Sequence, residues 1–525
     1  MKSKSLALLT GIISWSCLHT QPINIPIHNF ISQQTERDIP DSAMPAFSSI
    51  RPYQGQWLKP WMNVYAQDTT RKGQRWLNGH LIRYNDDQFT AWIDPILSLN
   101  GGYTNREEGG TYQNSRGVQA GMLLGKTVGI GFAFTENQSS FPQFVDDFMS
   151  ANHGVIPGQG MARGYKDDGY DYAFSDAYLR WAPGKVFSAT LGYGQNFLGE
   201  GYRSLFLSDN SFNYPFLQLD LNLKRLHYTV LYNNYQNVNY TMPGGSYQRK
   251  WSTIHYLTVK LGKRWNVGLY DAVMWQAEDS SMQRGFDFAY LNPIPFLRPI
   301  EFSRGSPDNM LLGLHGKYRV TKGTYLYTQI MLDDINIQAS RDSGEQHLNN
   351  KYAIQLGGKS FTEWLGAKWM IRGEYNYSRP YVYGHRKPAQ SYTNYQQALA
   401  HPLNANFHEA IAQIMVSKGR WYLDNVNQLA VVGREDPATP YNDGNDLFGG
   451  EDNVPTFGAT TLQGIRTPQL TTQWAVGWVL NPRWNMAIEG SVLYKRVSPE
   501  NLAGQQTVWF RLGLTTRLRN MYLDF

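Results

Sequence analysis

The sequence predicts an all-β fold: a closed antiparallel transmembrane β-barrel of about 18 strands, with short periplasmic turns and long extracellular loops. Three observations support this prediction. Runs of about ten residues alternate between apolar and polar side chains, which is the length and the period that a tilted strand needs to cross a bilayer. The connections between these runs are alternately short and long. After about the first 20 residues, no stretch contains the ~18 consecutive apolar residues of a membrane helix, and the mean hydropathy is −0.47.

Residues 1–20 are predicted to be a secretory signal peptide. Lys2 and Lys4 precede the apolar run LALLTGII, and a stretch of small residues follows it. We expect cleavage close to Gln21. Lipidation of Cys17, the single cysteine of the chain, is the less favoured alternative because Trp15 fits poorly into a small-residue lipobox.

Residues 21–87 are predicted to form an irregular, proline-rich segment on the periplasmic side. Its tryptophans, Trp57, Trp61 and Trp76, favour local packing over a role in cofactor binding. Two arrangements stay open from the sequence, a short plug of the barrel and a periplasmic appendage.

Residues 88–525 are predicted to form the barrel, and three runs alternate most cleanly: Val128–Phe134, Leu217–Lys224 and Leu470–Leu480. In the second run, leucines on one face oppose a Gln-Asp-Asn-Lys row on the other, which implies hydrocarbon on one side and water on the other. The predicted strands are 88–98, 117–126, 127–135, 170–181, 184–194, 213–223, 225–235, 252–261, 264–274, 308–319, 323–335, 350–360, 367–377, 405–417, 420–433, 469–480, 483–496 and 505–518.

The last run, Thr507–Phe525, is predicted to contain the strand that seals the barrel. Apolar and polar side chains alternate along it, with Phe510 on the apolar face and Arg511 on the polar face. The chain ends on Phe525, as closing strands of outer-membrane barrels commonly do. A strand of a soluble all-β protein is the alternative.

Every second connection is short, and these turns lie at residues 126–127, 183–184, 224–225, 262–263, 321–322, 364–366, 418–419 and 481–482. Long loops alternate with them at about 136–169, 195–212, 236–251, 275–307, 378–404 and 434–468. A soluble sandwich has no reason to keep all its long loops at one end. With an even number of strands, we expect both termini on the periplasmic side.

The amino-acid composition favours a membrane protein and argues against a nucleic-acid-binding protein. Aromatic residues make up 14% of the chain and charged residues 17%, and the excess of Tyr and Trp suits a protein with two membrane interfaces. The net charge of +6 is not concentrated in a Lys/Arg run, which argues against nucleic-acid binding. Solvated loop charges account for it better than a lumen selective for acidic sugars.

The sequence contains no convincing catalytic, metal-binding or cofactor-binding motif, so we expect a protein that is not an enzyme and has no cofactor. Asp146-Asp147 and Asp333-Asp334 are adjacent pairs, which on a strand point to opposite faces and cannot share a proton or a metal. His408-Glu409 lies on a predicted strand instead of a zinc-binding helix. A serine-nucleophile elbow in a strand–turn–helix context is also absent from the sequence.

Sugar binding needs only exposed aromatic faces and a few fixed polar groups, and the loops supply both. The candidate glycan ligands are Arg298, Arg304, Tyr381 and Tyr383, with further loop aromatics at Phe141, Phe144, Phe148, Tyr392 and Tyr395. The alternative is that these aromatics pack the loops down over the lumen.

Six blocks of sequence carry a resemblance to a known family: WLNGHLI, GEGYRSLFLSDNSFNYPFLQL, YLNPIPFLRPIEF, GSPDNMLLGL, HPLNANFHEA and the closing RNMYLDF. In these blocks the chain resembles the Wzi-type capsule-assembly barrels and, more closely, the RemB-like outer-membrane proteins of gliding bacteria. The resemblance covers most of residues 88–525. It implies an outer-membrane barrel of about 18 strands that associates with or anchors surface polysaccharide and, in the gliding branch, takes part in surface motility.

The resemblance also implies partners: outer-membrane lipid, surface polysaccharide and, in the gliding branch, motility or secretion-machinery proteins. Tyr202 and Arg203 in the second block are further candidate glycan ligands, although Arg203 could instead pair inside the barrel. The favoured function is a non-enzymatic attachment barrel with a blocked lumen. The alternative is an outer-membrane pore with a continuous polar channel.

Overall fold

The computed structural model describes residues 23–38, 48–53, 73–105, 109–242, 245–278, 283–304, 308–334 and 336–525. The predicted signal peptide, Cys17, Trp57 and Trp61 lie outside the described residues. The described α-helices are α1 (Asn29–Asp38), α2 (Gln143–Ala151), α3 (Arg298–Arg304) and α4 (Ile337–Ser343), with shorter helical turns at Gln74–Asn78, Phe288–Leu291 and Pro388–Gln390. Within the described ranges, no helix has the length and apolar character that a membrane span requires.

The strands close into an antiparallel barrel of 18 strands, and each predicted span falls on one of them. The last strand pairs with the first, from Trp509 opposite Thr104 to Leu514 opposite Leu99. Closure removes free strand edges, whose backbone groups would find no hydrogen-bond partner in hydrocarbon. The strands are β1 (Phe89–Thr104), β2 (Gly110–Leu124), β3 (Val128–Ser139), β4 (Gly169–Trp181), β5 (Phe187–Gly194), β6 (Tyr214–Asn222), β7 (Leu226–Thr241), β8 (Tyr247–Leu261), β9 (Trp265–Gln276), β10 (Asn309–Thr321), β11 (Thr324–Asp334), β12 (Lys351–Trp364), β13 (Ala367–Ser378), β14 (Phe407–Lys418), β15 (Trp421–Arg434), β16 (Ile465–Asn481), β17 (Met486–Val497) and β18 (Gln505–Thr516).

Short and long connections alternate around the barrel, so the short turns lie at one end, the short-turn end, and the long loops at the other, the long-loop end. One predicted loop is wrong. Residues 236–251 are mostly strand, because β7 continues to Thr241 and β8 begins at Tyr247. The ladder continues through polar pairs such as Gln236 opposite Arg249, and polar pairs give no apolar alternation to recognise.

Side chains alternate across the barrel wall as the sequence predicts. In β18, Phe510 and Leu512 point outward and are exposed, whereas Trp509 is buried on the lumen side. In β6, Gln218 and Asp220 are buried on the lumen side. Exposed tryptophans mark the short-turn end, at the position of an interfacial aromatic belt: Trp181, Trp265, Trp364 and Trp421.

The sealing strand is shorter than predicted, because β18 ends at Thr516 and the chain then turns back into the lumen. Arg517 N donates to Asn485 O in a short turn, and the ring of Phe525 lies 4.6 Å from that of Phe148 in α2, at the long-loop end. Residues 517–525 are called the tail below. The carboxyl terminus therefore lies inside the barrel toward the long-loop end, whereas the even strand count predicts it beside the short turns.

Candidate functional site

Residues 23–38 of the N-terminal segment pack inside the barrel as a plug would, whereas Ile82–Asn85 forms an exposed strand that pairs with β1. In α1, the ring of Phe30 lies 4.9 Å from that of Tyr422 on the lumen side of β15. Ile31 is buried in the same cluster, and Gln34 Nε2 donates to Ser417 Oγ of β14 over 3.2 Å. Trp76, by contrast, is exposed at the short-turn end.

A second segment enters the lumen between β5 and β6. Every residue from 194 to 214 is buried, and we call this stretch the inserted segment. Glu374 of β13 accepts hydrogen bonds from the backbone N–H groups of Tyr202 (2.8 Å) and Arg203 (3.1 Å). A side chain at Gly201 would collide with the Glu374 carboxylate. The glycines of the GEGYRS block therefore let the backbone approach the barrel wall closely.

Two lysines of the wall bind α1 and the inserted segment, which together with the tail are called the plug below. Lys317 of β10 and Lys359 of β12 both contact Glu200 of the inserted segment, over 2.9 and 3.1 Å, and both contact Glu36 of α1, over 3.5 and 2.6 Å. All four side chains are buried, and their charges balance. Burial alone would raise the pKa of Glu200, but the two lysines hold it well below its usual range. The cluster links the wall, α1 and the inserted segment.

Arg203 pairs inside the barrel, which is the alternative to a glycan contact that the sequence left open. Its Nη2 lies 3.0 Å from Glu409 Oε1 of β14 and 2.9 Å from Asp524 Oδ2 of the tail. The guanidinium also lies over the rings of Tyr202 and Tyr522, at 4.9 and 5.1 Å from their centroids. Burial disfavours the charged guanidinium, but the two carboxylates raise the pKa of Arg203 well above its usual value. The pair therefore locks the inserted segment to the tail.

The other predicted glycan residues do not join Arg203 in one site. Tyr383 is buried and donates from its hydroxyl to Leu205 O of the inserted segment over 2.9 Å, and buried Tyr381 donates to Asn442 O over 2.7 Å. Arg298 is exposed at the start of α3. Arg304 ends α3, and its side chain is not among those described.

The remaining loop aromatics pack the loops over the lumen, which is the alternative to glycan binding that the sequence left open. Phe141 and Phe144 are buried against the tail. The hydroxyl of Tyr392 lies 2.7 Å from that of Tyr270 in β9, and Tyr395 packs edge-to-face on Phe212 of the inserted segment at 5.0 Å. The aromatic excess in the long loops thus serves mainly to close the barrel.

The structure contains a cavity that sequence reasoning missed. It measures about 560 Å³ and lies on the lumen side of β1–β6, between the wall and the start of the described chain. Six aromatic side chains of the Phe, Tyr and Trp type line it: Trp92, Phe132, Phe174, Tyr178, Tyr193 and Phe216. A side chain at Gly121 would collide with the ring of Trp92, and one at Gly131 with the ring of Tyr178. Glycines on the lumen-facing side of a strand, such as Gly121 and Gly131, leave room for a neighbouring ring, and they were the only sequence signal for this cavity.

Polar groups in the cavity have unused hydrogen-bonding capacity. The guanidinium carbon of Arg519 lies 3.4 Å from the centroid of the Phe174 ring, and its Nη1 has no hydrogen-bond partner among the described residues. The same holds for Asn24 Oδ1, although Asn24 N donates to the Tyr178 hydroxyl over 2.8 Å. Burial lowers the pKa of Arg519 to about 9, so it stays charged at neutral pH. The Asp176 carboxylate also lines the cavity.

Aromatic rings together with one unpartnered donor and one unpartnered acceptor suit a sugar, whose C–H faces stack on rings and whose hydroxyls both donate and accept hydrogen bonds. Among the side chains that the structure describes, no group of three or more His, Cys, Asp or Glu residues could hold a metal ion.

No protein-family model and no curated protein matches this sequence. Among solved structures, the chain is similar to Wzi of Escherichia coli, an outer-membrane, carbohydrate-binding β-barrel involved in Group 1 capsule assembly. The identity is 10%, the match covers 93% of this chain and 99% of that chain, and the TM-score is 0.54. The fold is that of a Wzi-like barrel.

The chain is also similar to two further outer-membrane barrels. OprD of Pseudomonas aeruginosa is 11% identical, with 81% of this chain and 94% of that chain covered and a TM-score of 0.41. OccAB2 of Acinetobacter baumannii is 9% identical, with 80% and 97% covered and a TM-score of 0.40. The Wzi-like fold is the stronger likeness of the three, and the RemB-like relation stays a prediction.

Proposed function

We propose that this protein is a non-enzymatic outer-membrane barrel that attaches or assembles surface polysaccharide. The observation that carries the proposal is the filled lumen, in which α1, the inserted segment and the tail are tied to the wall and to each other by buried ion pairs. A barrel filled in this way suits an anchor, whereas a pore needs a continuous polar channel.

The Wzi-like fold and the aromatic cavity support the choice of polysaccharide. Wzi is a carbohydrate-binding barrel of capsule assembly. In this chain, Arg519, Trp92 and Tyr178 offer one free guanidinium donor and two aromatic rings to a sugar unit. We place the sugar contact in this cavity, at the lumen side of β1–β6.

Conductance in planar bilayers tests the filled lumen. We expect the wild-type protein to give no steady current, because the described plug segments block the barrel. A steady open-pore current would contradict the attachment function and favour the alternative, an outer-membrane pore.

Binding of the purified protein to a printed glycan array tests the sugar contact. We expect Arg519→Ala to weaken binding by about 10- to 150-fold, since a hydrogen bond from a charged group contributes about 1.5–3 kcal/mol. Arg466→Ala, at an exposed arginine of β16, is the matched control and should leave binding unchanged. Equal binding by the two variants would remove the cavity from the proposal.

A role in surface motility belongs to the same proposal, because attached polysaccharide can couple the cell to a surface. Capsule staining and spreading of a deletion strain on agar would separate the two roles. Loss of staining with normal spreading would assign the protein to capsule attachment alone. We also propose that the signal peptide directs the chain to the outer membrane with the short-turn end in the periplasm.

A further inference from the structure

The long connection between β9 and β10 does not rise above the barrel but lies against its outer wall. In β9, Tyr270 points into the lumen and stacks on Phe206 of the inserted segment, so the alternate residues Asp271, Val273 and Trp275 point outward. These outward side chains are nevertheless buried. They are covered by residues 286–300, which we call the flap.

Aromatic packing holds residues 286–290 of the flap against the outer wall. The ring of Tyr290 lies 4.8 Å from that of Trp275, and the ring of Phe286 lies 5.7 Å from Trp275 and 5.2 Å from Trp251 of β8. Leu297 is buried in the same cluster. This outer cluster is separate from the hydrophobic core of the lumen.

Outward-facing hydroxyls of the wall bind carbonyl groups of the flap. Thr253 of β8 donates to Tyr290 O over 3.1 Å. On β7, the hydroxyl of Tyr228 donates to Pro293 O over 2.7 Å, and Tyr232 donates to Leu291 O over 3.3 Å.

Between residues 293 and 297, every backbone N–H group of the flap also has a hydrogen-bond acceptor. Pro293 and Pro295 have none, and Ile294 N donates to Asn292 Oδ1 over 3.2 Å. Phe296 N and Leu297 N both donate to Asp271 Oδ2, over 2.7 and 2.8 Å. These bonds hold Phe296 at φ 82°, a conformation that side-chain-bearing residues rarely adopt. Irregular backbone is tolerated at membrane depth only when its polar groups are satisfied by protein.

The position of Asp271 along β9 gives the depth of the flap. Trp265, the first residue of β9, belongs to the tryptophan belt, and Asp271 follows it by about 20 Å along the strand. With the usual barrel tilt, this is about 15 Å of depth, inside the ~25 Å band that faces lipid. On β15, Leu429 lies still farther from its belt residue Trp421, yet it faces outward and is 60% exposed.

The outer face of the flap is apolar from Phe288 to Phe296, and the exposed Arg298 follows this stretch. Phe288 is 79% exposed and Ile294 64% exposed, and Leu291 and Phe296 are exposed beside them. We propose that the flap is immersed in the membrane and docks on the acyl chains of the leaflet at the long-loop end. It shields Asp271, Thr253 and the neighbouring His255 from hydrocarbon. Such polar side chains would be destabilising on the outer wall of a barrel if they faced lipid. The NPIPF stretch, residues 292–296, is thus a lipid-facing element of the barrel wall.

Spin-label accessibility in liposomes tests the proposal with purified protein. Single cysteines are placed in a Cys17→Ser background at Ile294, at Leu429 on the outer wall and at Leu502 in the exposed β17–β18 loop. In phosphatidylcholine liposomes, we expect the label at Ile294 to collide with oxygen and to avoid a water-soluble nickel chelate, as the Leu429 label does. Behaviour like that of the Leu502 label, or protection from both reagents, would overturn the proposal.

A second variant tests the tether. Asp271→Ala removes the acceptor of two flap N–H groups, so the Ile294 label should gain mobility while heat-modifiable gel migration shows that the barrel is intact. Asp171→Ala, at an exposed aspartate on the outer wall of β4, is the matched control and should not change the label. Unchanged mobility in Asp271→Ala would show that Asp271 does not hold the flap.

Discussion

Arg203 illustrates how single residues hold this barrel together. Its guanidinium lies between Glu409 of the wall and Asp524 of the tail, and the three groups are buried. A buried ion pair contributes little relative to a well-packed apolar replacement, but removing one partner leaves an uncompensated charge. The cost of truncation is therefore much larger than the value of the pair.

Replacing Arg203 by Ala should lower the free energy of unfolding by about 3–5 kcal/mol, because two buried carboxylates lose their partner. Urea titration in detergent, followed by tryptophan fluorescence, measures the change. Arg225→Ala, in an exposed short turn, should change the free energy by less than about 0.5 kcal/mol. Similar values for the two variants would show that Arg203 is not held as described.

Glu200 makes the plug sensitive to acid. Its pKa in the folded protein lies below the ordinary value of 4.5, because Lys317 and Lys359 stabilise the carboxylate against the effect of burial. The resulting stabilisation is present above the pKa of the unfolded chain and is lost as the pH falls through the folded pKa. The stabilisation starts to fall below about pH 4.5, so we expect bilayer current to be absent at pH 7 and to appear only in strong acid, at about pH 2.

The variant Glu200→Gln separates this residue from other acid effects, because its side chain does not titrate. The current through the variant should change less between the two pH values than the current through the wild-type protein. An equal change in both proteins would assign the acid response to other groups.

At the scale of elements, the wall and the tail have different roles although they are continuous in sequence. Pairing between β18 and β1 uses residues 509–514, and the chain leaves the sheet after Thr516. Beyond that point the tail bonds to the inserted segment: Asn520 Nδ2 donates to Asp209 Oδ2 over 2.7 Å, and Tyr522 donates to Asp209 Oδ1 over 2.9 Å. The tail is thus part of the plug.

Deleting residues 517–525 should leave a closed barrel with a loosened plug. In protein refolded in detergent, we expect heat-modifiable migration to be kept, because the strand ladder is intact, and bilayer current to appear, because Asp524 and Tyr522 are lost. Loss of heat-modifiable migration on tail deletion would show that the tail is needed for closure.

Replacing outward-facing Leu512 by Arg should instead impair insertion of the barrel into the membrane, since arginine in the lipid band costs about 2–4 kcal/mol.

At the scale of the whole molecule, the protein is a closed strand wall around a lumen that α1, the inserted segment and the tail fill. The wall is held by a continuous strand ladder, and the plug is held at the lysine–glutamate cluster and at Arg203. The two parts can therefore be weakened independently.

The double variant Lys317→Met, Lys359→Met should open the lumen without opening the wall. Glu36 and Glu200 would lose their cationic partners, and detachment of the plug should give a steady current that the wild-type protein lacks. Lys185→Met, Lys322→Met, at two exposed turn lysines, removes the same charge and should stay closed. A closed double variant at the cluster would show that these ion pairs do not retain the plug.

The candidate site was harder to predict than the wall. The GEGYRS block predicts Tyr202 and Arg203 as glycan ligands, but both are structural groups of the lumen, and Tyr381 and Tyr383 are buried in a loop. The cavity around Arg519 was missed because its residues come from six strands, the first described residues and the tail. Sequence distance gives no indication that Asn24, Tyr178 and Arg519 lie together.

The sequence by itself determined the wall: the number of strands, their positions, the lipid-facing side and the alternation of short and long connections. These features follow from a period of two along each strand, which is a local property. Only the tertiary structure decided what fills the lumen, where the chain ends and which loop covers the outer wall. Those features depend on bonds between distant residues, such as Arg203 with Asp524 or Asp271 with Phe296, and local alternation carries no information about them.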